Sequence, residues 1–106
     1  GLQRRFLHDS GTYGELETGA TALAFADHSL AASHFPQGHV AAHSSSLPLG
    51  MEIALVTPDV ASAHTKALQA GATEIKAPAA QPWGQTVSYV RCPDGTLVEL
   101  CTPIGA

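Results

Sequence analysis

The chain has 106 residues, 44% of them hydrophobic and 13% charged, a composition that argues for one folded domain with a core and against extended disorder. Five basic residues against nine acidic ones leave a net charge of −4, with no basic stripe to meet a phosphate backbone, which argues against a nucleic-acid partner. No apolar run reaches the roughly 20 residues of a membrane span and no charged-then-apolar leader opens the sequence, so the expectation is a soluble, cytoplasmic protein.

In chain order, Leu2–Asp9 and Thr12–Thr18 are strand-like runs separated by Ser10-Gly11, a hairpin-turn pair. Gly19 then leads into the apolar strand Ala20–Ala26, which makes the first 26 residues a three-stranded antiparallel meander. From Asp27 to Gly50 the pattern dissolves into Ala, Ser, His, Pro and Gly, a loop with one helical turn over Leu30–His34. Loops of this length are functional or mobile.

The second half is more regular. Met51–Thr57 is a strand, Pro58-Asp59 stops it, and Asp59 is placed to cap a helix that carries Val60, Ala63, Ala67 and Leu68 on one stripe and ends at Gly71. Three strands follow, in Thr73–Pro78, Gln85–Arg91 and Thr96–Thr102. Alternation along the last strand puts Leu97, Glu99 and Cys101 on one face and Val98 and Leu100 on the other; Glu52, Ala54 and Val56 separate from Ile53 and Leu55 in the same way. The aliphatic faces suit the helix, which leaves a carboxylate on each strand lining the far side of the sheet.

This order, with "CPDGTLVEL" at Cys92–Leu100 and "MEIALVTPDVASAHTKALQAGA" at Met51–Ala72, resembles the vicinal oxygen chelate superfamily, which includes glyoxalase I, bleomycin-resistance proteins and extradiol dioxygenases. The resemblance implies an α+β fold of βαβββ modules whose curved mixed sheets form a cup, with modules often paired across a homodimer. It divides the 106 residues of a single domain into the remainder of a first module (1–26), a connecting loop (27–50) and a complete second module (51–104). The first module is incomplete, its opening strand and helix either missing from the sequence or supplied by strand exchange with a partner chain.

In metal-dependent members one divalent ion, such as Mn, Fe, Ni or Zn, is held by strand residues. Carried over by position, Glu99 matches the last-strand ligand and Glu52 stands where many members place His or Gln. The third strand of the first module offers Ala24 where glyoxalase I can supply a Glu, so that metal set is incomplete. Phe25, Trp83, Tyr89 and Arg91 are candidates for the lining of a ligand site, with an aromatic packed on the core or a dimer seam as the plain alternative for Trp83 and Tyr89.

Each acid has a structural alternative as well: Glu99 paired with Arg91, Glu52 as a wet residue near a strand end. Four histidines lie between His28 and His43, but Pro36 and Gly38 argue against a helical His-x3-His site, and His64 falls mid-helix as a boundary residue. Cys92 and Cys101 match no zinc or redox spacing and are taken as reduced. The functional expectation is a glyoxalase/bleomycin-resistance-like binder of a small hydrophobic molecule in a cup-shaped cleft, without assigned catalysis. The alternative is a divalent-metal-dependent lyase, isomerase, transferase or dioxygenase acting on vicinal oxygens.

Overall fold

The computed structural model describes residues 2–104 and divides into two compact units, Gly1–Val40 and Ala41–Ala106. In the first, β1 (Arg4–Leu7), β2 (Tyr13–Leu16) and β3 (Leu23–Ala26) form an antiparallel sheet in that order. The first turn closes with the His8 N–H donating to Tyr13 O at 3.0 Å, and Gly11 takes φ 72°, a conformation glycine adopts without a Cβ penalty. Helix α1 (His28–His34) begins two residues before the expected helical turn because Asp27 caps it, Oδ1 accepting from the Leu30 N–H at 2.8 Å. Every described residue of this unit is at least partly exposed. Among the described residues no strand and helix precede β1.

The second unit runs β4 (Glu52–Val56), α2 (Val60–Gln69), β5 (Thr73–Ala80), β6 (Thr86–Arg91) and β7 (Leu97–Cys101), a βαβββ module. Its sheet has the order β4-β7-β6-β5, with β4 parallel to β7 and the other pairs antiparallel. Asp59 caps α2 through the Ser62 N–H at 3.0 Å, and Gly71 (φ 109°) follows its end. The core lies between α2 and one face of the sheet: Val60, Val90, Val98 and Leu100 are buried, with Leu55, Ala63, Ala67 and Leu68 packed around them. Burying that apolar stripe is what holds so short a helix on the sheet, since ten residues are too few for a stable isolated helix.

Three expectations need correction. Strand β5 does not stop at Pro78 but continues to Ala80. As an outer strand paired only with β6 it tolerates the missing N–H, and its register shifts on both sides of Lys76. The segment before β4 is also more structured than a loop, with a 3-10 turn over Ala42–Ser44.

His64 requires the larger correction, because it is no boundary residue. It is 4% exposed, with Nδ1 2.9 Å from Ser88 Oγ and Nε2 2.8 Å from Glu74 Oε2. A polar latch thus ties α2 to β6 and β5 inside an apolar layer.

Candidate functional site

The face of the second sheet turned away from α2 is set by strand register. Three cross-strand rows result: Glu52, Leu97 and Arg91; Ala54, Glu99 and Tyr89; and Val56, Cys101 and Val87. Alternation puts all nine side chains on the same side of the sheet. The middle row centres on Glu99, half-buried, with Tyr89 as its direct cross-strand neighbour.

The pKa of Glu99 is raised above the ordinary glutamate value, first by burial, then by the charge of Glu52 and by a hydrogen bond shared with it, while the bond from the Tyr89 hydroxyl works in the opposite direction. A second carboxylate on the neighbouring strand disfavours the ionised form of Glu99. The Tyr89 hydroxyl is raised as well, by burial and then by the charges of Glu99 and Glu52. The Cys101 thiol is raised by burial and then by the same two carboxylates, which keeps it a thiol rather than a thiolate nucleophile.

Arg91 does not pair with Glu99. Its guanidinium donates instead to backbone carbonyls: Nε to Gly95 at 3.2 Å, and one terminal nitrogen to both Ala42 and Ser45 at 2.9 Å. The side chain therefore ties the segment before β4 to the β6–β7 turn. That turn depends on Gly95, which has φ 94° and where a Cβ would lie 2.6 Å from the Ala42 oxygen.

Trp83 stands in the connection before β6, at the end of the sheet that carries the Val56, Cys101 and Val87 row. Its indole is 63% exposed, yet its orientation is held: Nε1–H donates to Gln85 Oε1 at 2.6 Å, and Gln85 Nε2 donates to Thr102 O at 2.7 Å. Phe25 belongs to the first unit, on β3 opposite Gly14, and is half exposed. The sheet thus brings Glu52, Glu99, Tyr89 and Arg91 onto one face of the second unit, with Trp83 at its end, whereas Phe25 lies on another sheet.

Glu52 and Glu99 are oxygen donors on neighbouring strands, a chemistry that fits part of the coordination shell of a divalent ion. Among the described residues no group of three or more His, Cys, Asp or Glu side chains is arranged to hold a metal, so the fit rests on the carboxylate pair with other donors completing the shell. Ser88, His64 and Glu74 are the polar group that the sequence reading missed. They have the composition of a nucleophile, base and acid, but Ser88 is 0% exposed, and no substrate reaches a hydroxyl sealed under α2. The signal was present in the spacing, since His64 falls four residues after Val60 and four before Leu68 on the buried stripe.

No protein-family model and no curated protein matches the sequence. Solved structures do. A glyoxalase-related enzyme from Fulvimarina pelagi superposes with a TM-score of 0.76 at 22% identity, over 99% of this chain and 76% of that one. A glyoxalase/bleomycin resistance protein/dioxygenase family enzyme from Burkholderia phytofirmans PsJN gives 0.71 at 18% identity, over 95% of this chain and 79% of that one. The bleomycin resistance determinant encoded on transposon Tn5 gives 0.57 at 24% identity, over 96% of this chain and 78% of that one. At these identities the likeness is one of fold.

Proposed function

We propose, from the premise that this chain has the vicinal oxygen chelate fold, that it binds a small hydrophobic molecule carrying a basic nitrogen. The observation that carries this is the Glu52–Glu99 pair, two carboxylates on the same face of neighbouring strands, the half-buried Glu99 held at a raised pKa by burial and by the charge of Glu52, on an otherwise largely apolar sheet face. A protonated amine set between them neutralises one of the two carboxylate charges and relieves their mutual repulsion. Ala54, Val56 and Leu97 offer the apolar body a surface, and Trp83, held by Gln85, offers an aromatic plane. In this reading Arg91 shapes the surface by bracing the chain before β4 and makes no direct contact with the ligand. A second copy of the chain would complete the site beside the outer strand β4, where Val56 is 64% exposed. The two free thiols, Cys92 and Cys101, fit a reducing compartment such as the cytoplasm.

The same carboxylate pair favours one second reading, a divalent-metal-dependent enzyme of lyase, isomerase, transferase or dioxygenase type. In it Glu52 and Glu99 would hold Mn, Fe, Ni or Zn, and the ion would supply Lewis acidity toward a substrate with vicinal oxygens. Calorimetric titration separates the two readings. The probes are an aromatic amine, its neutral isostere, and Mn²⁺, each added to the wild-type chain and to Glu99→Gln. Binding of the amine at least about tenfold tighter than the isostere, a difference of about 1.4 kcal/mol, and lost in Glu99→Gln supports the binder. Glu99-dependent uptake of Mn²⁺ with no preference for the amine supports the enzyme. Equal binding of amine and isostere, unchanged in Glu99→Gln, together with no Glu99-dependent uptake of Mn²⁺, overturns both.

A further inference from the structure

The first unit brings together two histidines eleven positions apart in sequence. Helix α1 runs from His28 to His34 and is capped by Phe35, whose N–H donates to Ala31 O at 3.2 Å. The chain then reverses through Pro36 and Gly38, the Gly38 N–H donating to Phe35 O at 2.8 Å with φ 84°. That turn returns His39 to the start of the helix. His28 Nδ1 and His39 Nε2 stand 3.1 Å apart, and the two rings face each other nitrogen to nitrogen, with centroids 5.4 Å and planes 16° apart. Phe35 packs edge-on against the His39 ring, with centroids 6.0 Å apart, which limits how that ring can turn.

We propose that His28 and His39 form a two-histidine site for a borderline transition-metal ion of the Zn²⁺ and Ni²⁺ class. Two neutral imidazoles whose ring nitrogens meet at hydrogen-bond distance share a single proton, one nitrogen donating and the other accepting. An ion held at the usual 2.0–2.1 Å from each nitrogen subtends about 100° across a 3.1 Å separation, close to the tetrahedral angle. An ion there takes the place of the N–H···N contact: the donor ring moves its proton to its other nitrogen, both rings turn their lone pairs toward the ion, and each imidazole stays neutral with no net proton released. Both residues are exposed, so the ion has an open approach and water fills the remaining positions. Imidazole nitrogens select Zn²⁺, Ni²⁺ and Cu²⁺ over Mg²⁺ and Ca²⁺, which prefer oxygen.

This site is independent of the sheet face, because His28 and His39 belong to the first unit and Glu52 and Glu99 to the second. The test is calorimetric titration of the full chain with Zn²⁺, with Mg²⁺ as control, in the wild type and in His28→Gln, His39→Gln and Glu99→Gln. Histidine ring NMR signals followed in the wild type give a readout that needs no variant. The expected result is one Zn²⁺ per chain with no net proton release at a pH where both rings are neutral, shifts confined to the rings of His28 and His39, and affinity reduced at least about tenfold by either histidine substitution. Glu99→Gln and Mg²⁺ should have no effect on this site. Absence of Zn²⁺ binding, binding unchanged in both histidine variants, or binding abolished by Glu99→Gln would each overturn the proposal, and the last would move the ion to the sheet face.

Discussion

Glu99 and His64 are both polar groups on β-sheet faces or against them, and opposite surroundings give them opposite roles. Glu99 is half-buried beside a second carboxylate, and its raised pKa means that folding favours its protonated form. The stability it contributes is present below the ordinary glutamate value of 4.5 and is lost as pH rises through the raised value. Glu99→Gln removes the charge and keeps the shape, so the variant should melt at a higher temperature than the wild type at neutral pH, with the difference vanishing as pH falls toward 4.5. A variant that melts lower at neutral pH would show that Glu99 is paired with a cation. His64, by contrast, has a partner on each ring nitrogen. Ser88→Ala leaves Nδ1 buried without one and should cost about 1–3 kcal/mol in urea unfolding. Glu74→Gln should cost less, because the Glu74 side chain is about half exposed and water replaces what the substitution removes.

At the level of elements, alternation and caps made most of the second unit legible. The faces of β4 and β7 follow from residue parity, the limits of α2 from Asp59 and Gly71, and the βαβββ order from turns rich in Pro and Gly. What escaped was decided by long-range contacts. Strand β5 outlasts Pro78 only because it is an outer strand, and Arg91 donates not to Glu99 but to carbonyls 45 to 49 positions away in sequence. The approach of His28 to His39 depends on a turn at Gly38 that no helical period encodes. Within this set Gly95 is the position where one methyl group decides the local structure. Gly95→Ala places a Cβ against the backbone of Ala42 and His43 in a conformation that disfavours L-residues, at a cost of about 2 kcal/mol or more. Hydrogen exchange should then speed up selectively at the Ser44 amide, which donates to Ala41 O in the 3-10 turn. Unchanged exchange there would mean that the segment is held without the β6–β7 turn.

For the whole molecule, two units with different amounts of core share one chain. The second has a buried cluster between helix and sheet, whereas the first has no residue fully withdrawn from solvent among those described, an arrangement of three short strands that gains from any further covering surface. No helix among the described residues is long and apolar enough to cross a membrane. A net charge of −4 favours the approach of cations over anions, an effect that weakens as salt rises. That bias agrees with a face whose central acid is held above its ordinary pKa by a second acid.

The central claim is that Glu52 and Glu99 recognise positive charge. Its most direct test is a carboxyl-carbon NMR titration of Glu99, first on the free chain and then on the chain saturated with an aromatic amine. The account predicts that Glu99 titrates above the ordinary glutamate value of 4.5 in the free chain and drops when the amine binds, because a positive charge beside it favours the ionised form. A Glu99 that titrates at the ordinary value, and does so equally with and without the amine, would contradict it.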